Sequence, residues 1–308
     1  MTREIKGTME HRKLGKTDLN VSILGFGGAE IGFDPNTTQE DVDAMLGGAL
    51  DAGLNLIDTA AAYHSSEVMI GNAVGGARRK EFILITKCGA IDGFTRSDWS
   101  KNGIIETIQQ SLKNLKTDYL DIAQLHSCDA QILKRGEAVE ALQLARERGY
   151  TRFIGYSGDN EDAQYAIEMN VFDTLQTSVS IADQSAIDGN ISLAAAKNLG
   201  IIAKRPVANA VWRNSEKPKD AYHQPYWERI QKLQFDFLKL PLTESIGAAL
   251  RFTLSIPGVA TAIVGTTKPG RWSENAEQVR RGNLAPEEFN QIRERWQEVA
   301  DDSWNGQT

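Results

Sequence analysis

The sequence predicts an α/β protein, specifically a (β/α)8 barrel of the TIM type with an N-terminal β-hairpin and a long loop between strands seven and eight. Eight short apolar runs alternate with helical patterns, mostly about 30 residues apart. Parallel strands need crossover helices, so this alternation indicates a parallel sheet. Eight units favour a closed barrel over an open doubly wound sheet. The segment Gly25-Phe26-Gly27-Gly28 also lacks the Gly-x-Gly-x-x-Gly spacing of an open dinucleotide-binding sheet.

The predicted strands are apolar runs that end in polar or small residues. They cover residues 23–28, 54–58, 82–87, 120–126, 152–157, 174–179, 201–207 and 261–265. A hairpin with its turn at Gly15-Lys16 precedes them at residues 11–22. Apolar residues at helical spacing predict helices over 38–52, 104–115, 138–148, 161–169, 191–198, 244–255 and 287–299, and one that opens at Glu67.

Residues 208–242 interrupt this repeat between the seventh and eighth strands. They contain Trp212, Tyr222, Tyr226 and Trp227 and three prolines. A long loop on the C-terminal side of a barrel is typically a lid or a specificity element.

Composition indicates an ordinary globular protein. The chain has 308 residues, of which 41% are hydrophobic and 24% charged, and its net charge is −7. The negative charge disfavours a nucleic-acid partner, and the absence of a long apolar run disfavours a membrane partner. Two cysteines and an N-terminus without the apolar core of a signal peptide indicate a reducing, cytoplasmic location. No linker divides the chain, so we expect one domain over residues 1–308, with residues 1–8 flexible.

Four titratable residues fall at or just after the ends of three neighbouring predicted strands: Asp58, Tyr63, Lys87 and His126. Each alone has an ordinary explanation as a hydrogen-bonded or solvated side chain. The carboxyl ends of parallel strands meet at one mouth of a barrel, however, and four such groups there indicate a site. No His-x-His follows the first strand, so we predict no metal site.

This combination is suited to donating a proton to a carbonyl. Tyrosine has a pKa of about 10 in water and gives up its proton reluctantly. An adjacent ammonium from Lys87 would lower the pKa of Tyr63, and the carboxylate of Asp58 would keep that lysine charged and oriented. An imidazole at His126 would hydrogen-bond the carbonyl oxygen and hold it at the acid.

The chain resembles the aldo-keto reductases over nearly its whole length. The motifs that carry the resemblance are Asp58-Thr-Ala with Tyr63 and Ser66-Glu67, Ile85-Thr-Lys87, Asp121-Ile-Ala-Gln-Leu-His126, and Gly265-Thr-Thr-Lys-Pro with Glu274-Asn275. The resemblance implies a (β/α)8 barrel that reduces carbonyl compounds with NAD(P)H. It also implies that Tyr63 is the general acid, that Lys87 lowers its pKa, that Asp58 pairs with Lys87 and that His126 orients the substrate.

The nicotinamide positions match the family unevenly. The resemblance assigns Ser157 and Gln176 to the carboxamide of the nicotinamide. The family has an asparagine where this chain has Gly158, and usually an aromatic ring, stacked on the nicotinamide, where this chain has Val179. These departures bear on how the nicotinamide is seated.

The segment after the eighth strand is the predicted site for the adenosine end of the cofactor. A helix start at Gly265-Thr266-Thr267-Lys268 would offer free N–H groups to a phosphate. Arg271 can point at the same anion, and Glu274-Asn275 resembles the adenosine contacts of the family. Lys268 and Arg271 favour NADPH over NADH, whereas two solvated cations at a helix start are the alternative. Lys204 and Arg205 are further candidates for facing the cofactor, or surface cations that serve solubility.

Two classes of function remain open from the sequence. The first is an NADPH-dependent oxidoreductase that reduces a small-molecule aldehyde or ketone, with Tyr63 as proton donor. The second is a nicotinamide-binding regulatory barrel, of the kind that partners a channel, with little turnover. Candidate pocket walls are Ala29, Glu30, Trp99 and Trp212, which suggest an apolar substrate, and the short tail after Val299 predicts a fairly open pocket. The oligomeric state is not predicted.

Overall fold

The N-terminal hairpin forms as predicted and closes one end of a barrel. In the computed structural model, which describes residues 9–307, strands β1 (His11–Lys13) and β2 (Asn20–Ser22) pair antiparallel. Leu14 of the turn packs against Gly200, where a barrel strand begins. The expectation that residues 1–8 are flexible concerns a segment outside the described residues.

Eight parallel strands form the closed barrel, which confirms the predicted fold class. They are β3 (Leu24–Gly27), β4 (Leu56–Asp58), β5 (Ile83–Cys88), β8 (Leu120–His126), β9 (Thr151–Ser157), β10 (Thr174–Ser178), β11 (Gly200–Lys204) and β12 (Val259–Gly265). A short hairpin of β6 (Ala90–Ile91) and β7 (Arg96–Ser97) follows β5. Strand β12 pairs with β3 and closes the ring.

Helices connect the strands and cover the barrel. They are α1 (Ala29–Phe33), α2 (Gln39–Asp51), α3 (Ser66–Val74), α4 (Lys101–Asn114), α5 (Ala130–Arg135), α6 (Glu137–Glu147), α7 (Asn160–Glu168), α8 (Ser192–Ala196), α9 (Gln224–Leu233), α10 (Leu242–Ser255), α11 (Arg271–Val279) and α12 (Pro286–Val299). Short 3-10 turns lie at Gly76–Glu81, Asp92–Phe94, Ala208–Arg213 and Asp236–Lys239, and a π-turn lies at Ile187–Ile191. Within residues 9–307, no helix is long and apolar enough to cross a bilayer.

Helix α2 shows how local sequence sets these elements. Thr38 caps it: the Thr38 hydroxyl accepts from the Asp41 N–H at 3.2 Å, and the Asp41 carboxylate accepts from the Thr38 N–H at 3.1 Å. Its apolar residues fall on one buried face that includes Val42 and Leu46. Gly53 ends the segment with φ of +100°, a conformation that favours glycine.

Two buried clusters hold the fold together. The smaller fills the inside of the barrel, with Leu56, Ile85 and Ile202 packed against the hairpin residues Leu19 and Val21. The larger lies between the strands and the surrounding helices. Because the hairpin fills the end of the barrel at which the strands begin, the opposite mouth is where side chains at the strand ends gather.

The segment predicted as a long loop contains a helix. Helix α9 turns Tyr226, Ile230 and Leu233 toward the interior at helical spacing. Prolines and aromatic residues around this short pattern obscure its period in the sequence. Strand β11 also ends earlier than predicted, at Lys204, because Arg205 has φ of +55° and cannot continue the strand.

Candidate active site

A buried ion pair lies at the centre of the barrel mouth. The Lys87 ammonium donates to both carboxylate oxygens of Asp58 at 2.7 Å and to the carbonyl of Thr59 at 2.8 Å. Both charged side chains are at most 2% exposed. Burial raises the pKa of Asp58 and lowers the pKa of Lys87, and in each case the partner charge opposes the shift. Three acceptors around one ammonium hold Lys87 in a single orientation.

Tyr63 and His126 lie beside this pair. The turn after β4 brings the Tyr63 ring over Lys87, with its centroid 5.2 Å from the ammonium nitrogen. The Tyr63 and His126 rings are 5.5 Å apart between centroids and nearly perpendicular, at 78°. The structure therefore brings the four predicted catalytic residues together.

The pKa of Tyr63 moves in the direction opposite to the one expected from the sequence. It is raised well above 10, first by burial and then by the negative charge of Asp58, and Arg205 opposes the rise. The Asp58 carboxylate that pairs with Lys87 offsets part of the effect of the ammonium on the phenol. Tyr63 is therefore protonated at neutral pH.

His126 is held neutral. Burial lowers the pKa of His126 well below 6.5, and the charges of Lys87, Lys204 and Arg205 lower it further. Its Nδ1 atom is buried and has no hydrogen-bond partner among residues 9–307. A neutral imidazole next to a protonated phenol forms a site that can donate hydrogen bonds to one oxygen.

Ser157 and Gln176 stand in one row with His126 across three strands. In the register of the sheet, Ser157 is the partner of His126 on one side and of Gln176 on the other. The Ser157 hydroxyl and the Gln176 carbonyl oxygen are buried without a hydrogen-bond partner in the described part of the chain. Unpaired buried groups of this kind are costly, and a carboxamide, which both donates and accepts, would satisfy the two. The row therefore fits the nicotinamide carboxamide.

The two departures from the family pattern, Gly158 and Val179, can be examined in the packing around each residue. A Cβ atom at Gly158 would lie 2.6 Å from the Tyr156 hydroxyl oxygen, and this hydroxyl donates to the carbonyl of Cys128 at 2.6 Å. A larger residue at position 158 would thus displace a buried tyrosine. Val179 is fully buried in the core, so it presents no exposed surface for stacking.

Lys204 and Arg205 share a buried carboxylate, Asp159, that no sequence motif indicates. Asp159 lies 2.8 Å from the Lys204 ammonium and 3.7 Å from the Arg205 guanidinium, and it accepts from the Thr177 hydroxyl and the Ser178 N–H. These cations lower the pKa of Asp159 despite its burial. Asp159 comes two residues after Ser157, but its partners arise from other strands, so only the fold could reveal it.

The tail covers part of the mouth, so the expectation of an open pocket is wrong on this side. Trp304 is buried and packs on Trp296 with ring centroids 5.1 Å apart. Arg205 donates to the Gln307 carbonyl, to the Ser178 hydroxyl at 2.6 Å and to the Tyr222 hydroxyl at 2.5 Å. Arg205, which follows β11, therefore connects the end of β10, the segment at residues 208–242 and the tail.

The segment after β12 differs in part from its prediction. Helix α11 begins at Arg271 after Gly270, so Gly265 ends strand β12, and Thr266, Thr267 and Lys268 lie in a turn before the helix rather than at its start.

The two cationic side chains of this segment differ in how accessible they are to an anion. Arg271 forms a 2.8 Å ion pair with Glu274, whereas Lys268 is exposed. Thr266 and Asn275 are buried.

The structure gives neighbours for two of the predicted pocket walls. Trp99 packs over Gly89, and the Trp212 indole donates to the Ser245 hydroxyl at 3.0 Å. The phenylalanine rings beside Tyr63 are those of Phe33 and Phe94, with centroids 5.8 Å and 6.1 Å away. Neither residue stands in a strand or motif that would have indicated its position.

The chain belongs to the aldo/keto reductase family, whose sequence model matches residues 23–297. The fold and the cluster at the barrel mouth agree with that class of oxidoreductase. The chain is 29% identical over 300 residues to the uncharacterized oxidoreductase YqkF of Bacillus subtilis, covering 91% of this chain and 94% of that protein. It is 28% identical over 285 residues to the L-galactose dehydrogenase of Arabidopsis thaliana, covering 88% of each.

A solved structure supports the same assignment. The holo form of the aldo-keto reductase AKR11C1 from Bacillus halodurans superimposes with a TM-score of 0.79 at 26% identity, covering 96% of this chain and 99% of that one. The chain is also 29% identical over 198 residues to the NADH-specific methylglyoxal reductase of Escherichia coli, 58% of this chain and 61% of that protein.

Proposed function

We propose that this protein reduces an aldehyde or ketone to an alcohol with a nicotinamide cofactor, and that Tyr63 donates the proton. The observation that carries the proposal is the buried Lys87–Asp58 pair, with Tyr63 and His126 beside it. All four side chains meet at one mouth of the barrel, where chemistry sits in this architecture.

The geometry supports a division of roles. The nicotinamide supplies the hydride when it is bound. The neutral imidazole of His126 donates a hydrogen bond to the carbonyl oxygen and places it at the Tyr63 hydroxyl. As the carbonyl is reduced, the Tyr63 phenol would give its proton to the carbonyl oxygen, which leaves an alcohol and a tyrosinate. The cation of Lys87 stabilises that developing tyrosinate and Asp58 keeps the lysine in place.

We propose that Ser157 and Gln176 hold the nicotinamide carboxamide through their unpaired buried atoms. Arg205 and Lys204 carry two positive charges against the one carboxylate of Asp159, an excess that suits the diphosphate of a dinucleotide.

The adenosine end would lie along the turn and helix after β12, where Gly265 through Lys268, Arg271, Glu274 and Asn275 are candidate contacts. NADPH is favoured because Lys268 is exposed and Arg271 is near the same turn. Glu274 competes for Arg271, so the 2′-phosphate would have to replace that ion pair. The NADH-specific relative from Escherichia coli makes NADH the alternative.

The proposed partner is a small carbonyl compound, and the whole chain would act as one cytoplasmic domain. The regulatory alternative, a barrel that binds nicotinamide with little turnover, keeps the same site. The site holds a protonated phenol and a neutral imidazole beside each other, as proton donation requires, and this supports the enzyme; measured turnover distinguishes it from the alternative.

The test combines cofactor titration with turnover. NADPH and NADH binding would be followed by fluorescence, and oxidation of each cofactor would be measured with a panel of aldehydes and ketones. We expect NADPH to bind more tightly than NADH and to be oxidised. Tyr63→Phe should lower kcat by about a hundredfold or more while leaving the cofactor Kd unchanged. Binding without turnover on any carbonyl would favour the regulatory alternative. A higher Kd for NADPH in Tyr63→Phe would contradict the role assigned to Tyr63.

A further inference from the structure

Two large apolar rings are exposed beside the proposed proton donor. Phe33, at the end of α1, is 45% exposed, and Phe94, between β6 and β7, is 50% exposed. The rings lie in nearly parallel planes, 8° apart, with centroids separated by 6.4 Å. We call this pair the aromatic wall. Exposed apolar groups that adjoin one another typically mark a binding surface.

The aromatic wall touches both residues that would hold the carbonyl oxygen. The Phe94 ring is 4.8 Å from the His126 ring and 6.1 Å from the Tyr63 ring, and the Phe33 ring is 5.8 Å from Tyr63. These separations are those of interacting aromatic pairs. A substituent on a carbonyl carbon held between Tyr63 and His126 would therefore reach the wall directly.

Phe94 is held in place by an unusual backbone. Asp92, Gly93 and Phe94 all have positive φ angles, of +49°, +63° and +67°. Side chains of L-residues, and bulky ones above all, disfavour this conformation, which persists only where neighbouring contacts impose it. Such strain is concentrated at functional sites and in tight turns.

The contacts that impose this conformation can be identified. Residues 92–94 form the tip of the β6–β7 hairpin. The Gly93 N–H donates to the carbonyl of Ala62 at 3.0 Å, which connects this tip to the turn that carries Tyr63. The Thr95 hydroxyl donates to the carbonyl of Asp92 at 2.6 Å, and the Asp92 carboxylate lies 3.2 Å from the Arg96 guanidinium. The His64 ring packs so closely on Gly93 that a Cβ atom there would lie 2.6 Å from it.

We propose that Phe33 and Phe94 determine substrate specificity and select carbonyl compounds that carry an aryl substituent. This inference rests on the proposed carbonyl reduction at Tyr63 and His126. The wall offers ring faces and edges and no hydrogen-bonding side-chain atoms, so it matches an aromatic ring and gives nothing to the hydroxyl groups of a sugar. The strained tip makes Phe94 part of the site before substrate arrives, which reduces the cost of ordering it on binding.

The experiment compares kcat/KM for benzaldehyde and glyceraldehyde with NADPH as cofactor. We expect the wild type to prefer benzaldehyde. Phe94→Ala and Phe33→Ala should each lower kcat/KM for benzaldehyde by about tenfold, mainly through KM, and change the value for glyceraldehyde by less than about twofold. Phe94→Leu, which keeps apolar area without a ring, should fall between wild type and Phe94→Ala.

Two further variants separate the wall from general effects. Gly93→Ala leaves Phe94 in the chain but forces the tip against His64, so it should also reduce the preference for benzaldehyde. Leu240→Ala, at another exposed apolar side chain, should leave the preference unchanged. Thermal unfolding of every variant would show that each one is folded.

The outcomes separate the inference from the proposed function. Turnover with equal or better use of glyceraldehyde, or an equal loss for both substrates in Phe94→Ala, would overturn the aryl selection and leave carbonyl reduction standing. No turnover of any carbonyl by the wild type would overturn both.

Discussion

The Lys87 ammonium and the Asp58 carboxylate face each other at 2.7 Å through both oxygens, inside a barrel mouth where neither is exposed to water. Each charge is tolerated there because the other is present. Burial raises the pKa of Asp58 and lowers the pKa of Lys87, and so by itself favours the neutral form of each. The stability of the fold and the charge state of the proposed site thus depend on the same two groups, the Lys87 ammonium and the Asp58 carboxylate.

Removing one member of this pair should cost stability as well as activity. We expect Lys87→Met to lower the free energy of unfolding by about 3–5 kcal/mol, because it leaves the Asp58 charge buried without its partner. The double variant Lys87→Met with Asp58→Asn should recover part of that loss, because no unpaired charge remains. Urea unfolding of the wild type, both single variants and the double variant measures the coupling. Additive single effects would show that the two groups do not stabilise each other.

The pH dependence of turnover should follow the two shifted groups. A Tyr63 pKa above 10 and a His126 pKa below 6.5 predict that kcat/KM for reduction is flat between about pH 7 and 9. Arg205 lowers the pKa of both residues, so Arg205→Gln should raise both and move each limb of the profile to higher pH. Arg213→Gln removes an exposed guanidinium and should leave the profile in place. A shift of only one limb would contradict the role of Arg205.

The raised pKa of Asp183 should make the stability of the protein depend on pH. Its carboxylate accepts from the Tyr226 hydroxyl at 2.7 Å in a buried position, and burial raises the pKa of Asp183 to about 6. A raised carboxyl pKa means that the folded protein binds the proton more tightly, so this contribution to stability is lost as the pH rises from 4 through 6.

Asp183→Asn should therefore stabilise the protein at pH 8 relative to wild type, by up to about 3 kcal/mol, and have a smaller effect at pH 4.5. Denaturant unfolding of both proteins at the two pH values provides the measurement. An equal difference at both pH values would show that the charge of Asp183 is not responsible.

Restoring the family asparagine at position 158 should harm this protein. Gly158→Asn places a Cβ atom 2.6 Å from the Tyr156 hydroxyl oxygen, so the buried ring must move. We expect a loss of about 1–3 kcal/mol in stability from this overpacking, measured by thermal or urea unfolding, together with weaker NADPH binding. Adding Tyr156→Ala should relieve the clash, so Gly158→Asn ought to cost less in that background. If Gly158→Asn alone is as stable as wild type and binds NADPH more tightly, the packing argument fails.

Much of the fold and the centre of the site could be predicted from the sequence. Apolar runs that alternate with helical patterns report local structure, and eight of them leave few architectures besides the barrel. Strand ends in a parallel barrel share one mouth, so Asp58, Lys87 and His126 could be placed near one another without coordinates. Whether a residue falls at the end of a strand depends on its neighbours in the sequence, so the pattern of apolar residues indicates it directly.

Other features were decided only by the tertiary structure. The sequence did not indicate that Asp159 lies between Lys204 and Arg205, or that Gln307 bonds Arg205, because those contacts join residues distant along the chain. Helix α9 was missed because its short pattern stands among prolines and aromatic residues.

The raised pKa of Tyr63 also depended on the fold. Every element packed against the phenol contributes to its burial and to the charges around it. The position of Phe94 depended on a backbone conformation that its own residues disfavour and that contacts from Ala62 and His64 impose. The sequence by itself thus determined the architecture and the chemical groups at the mouth. The charge states of those groups and the walls around them were set by long-range packing, which no local pattern encodes.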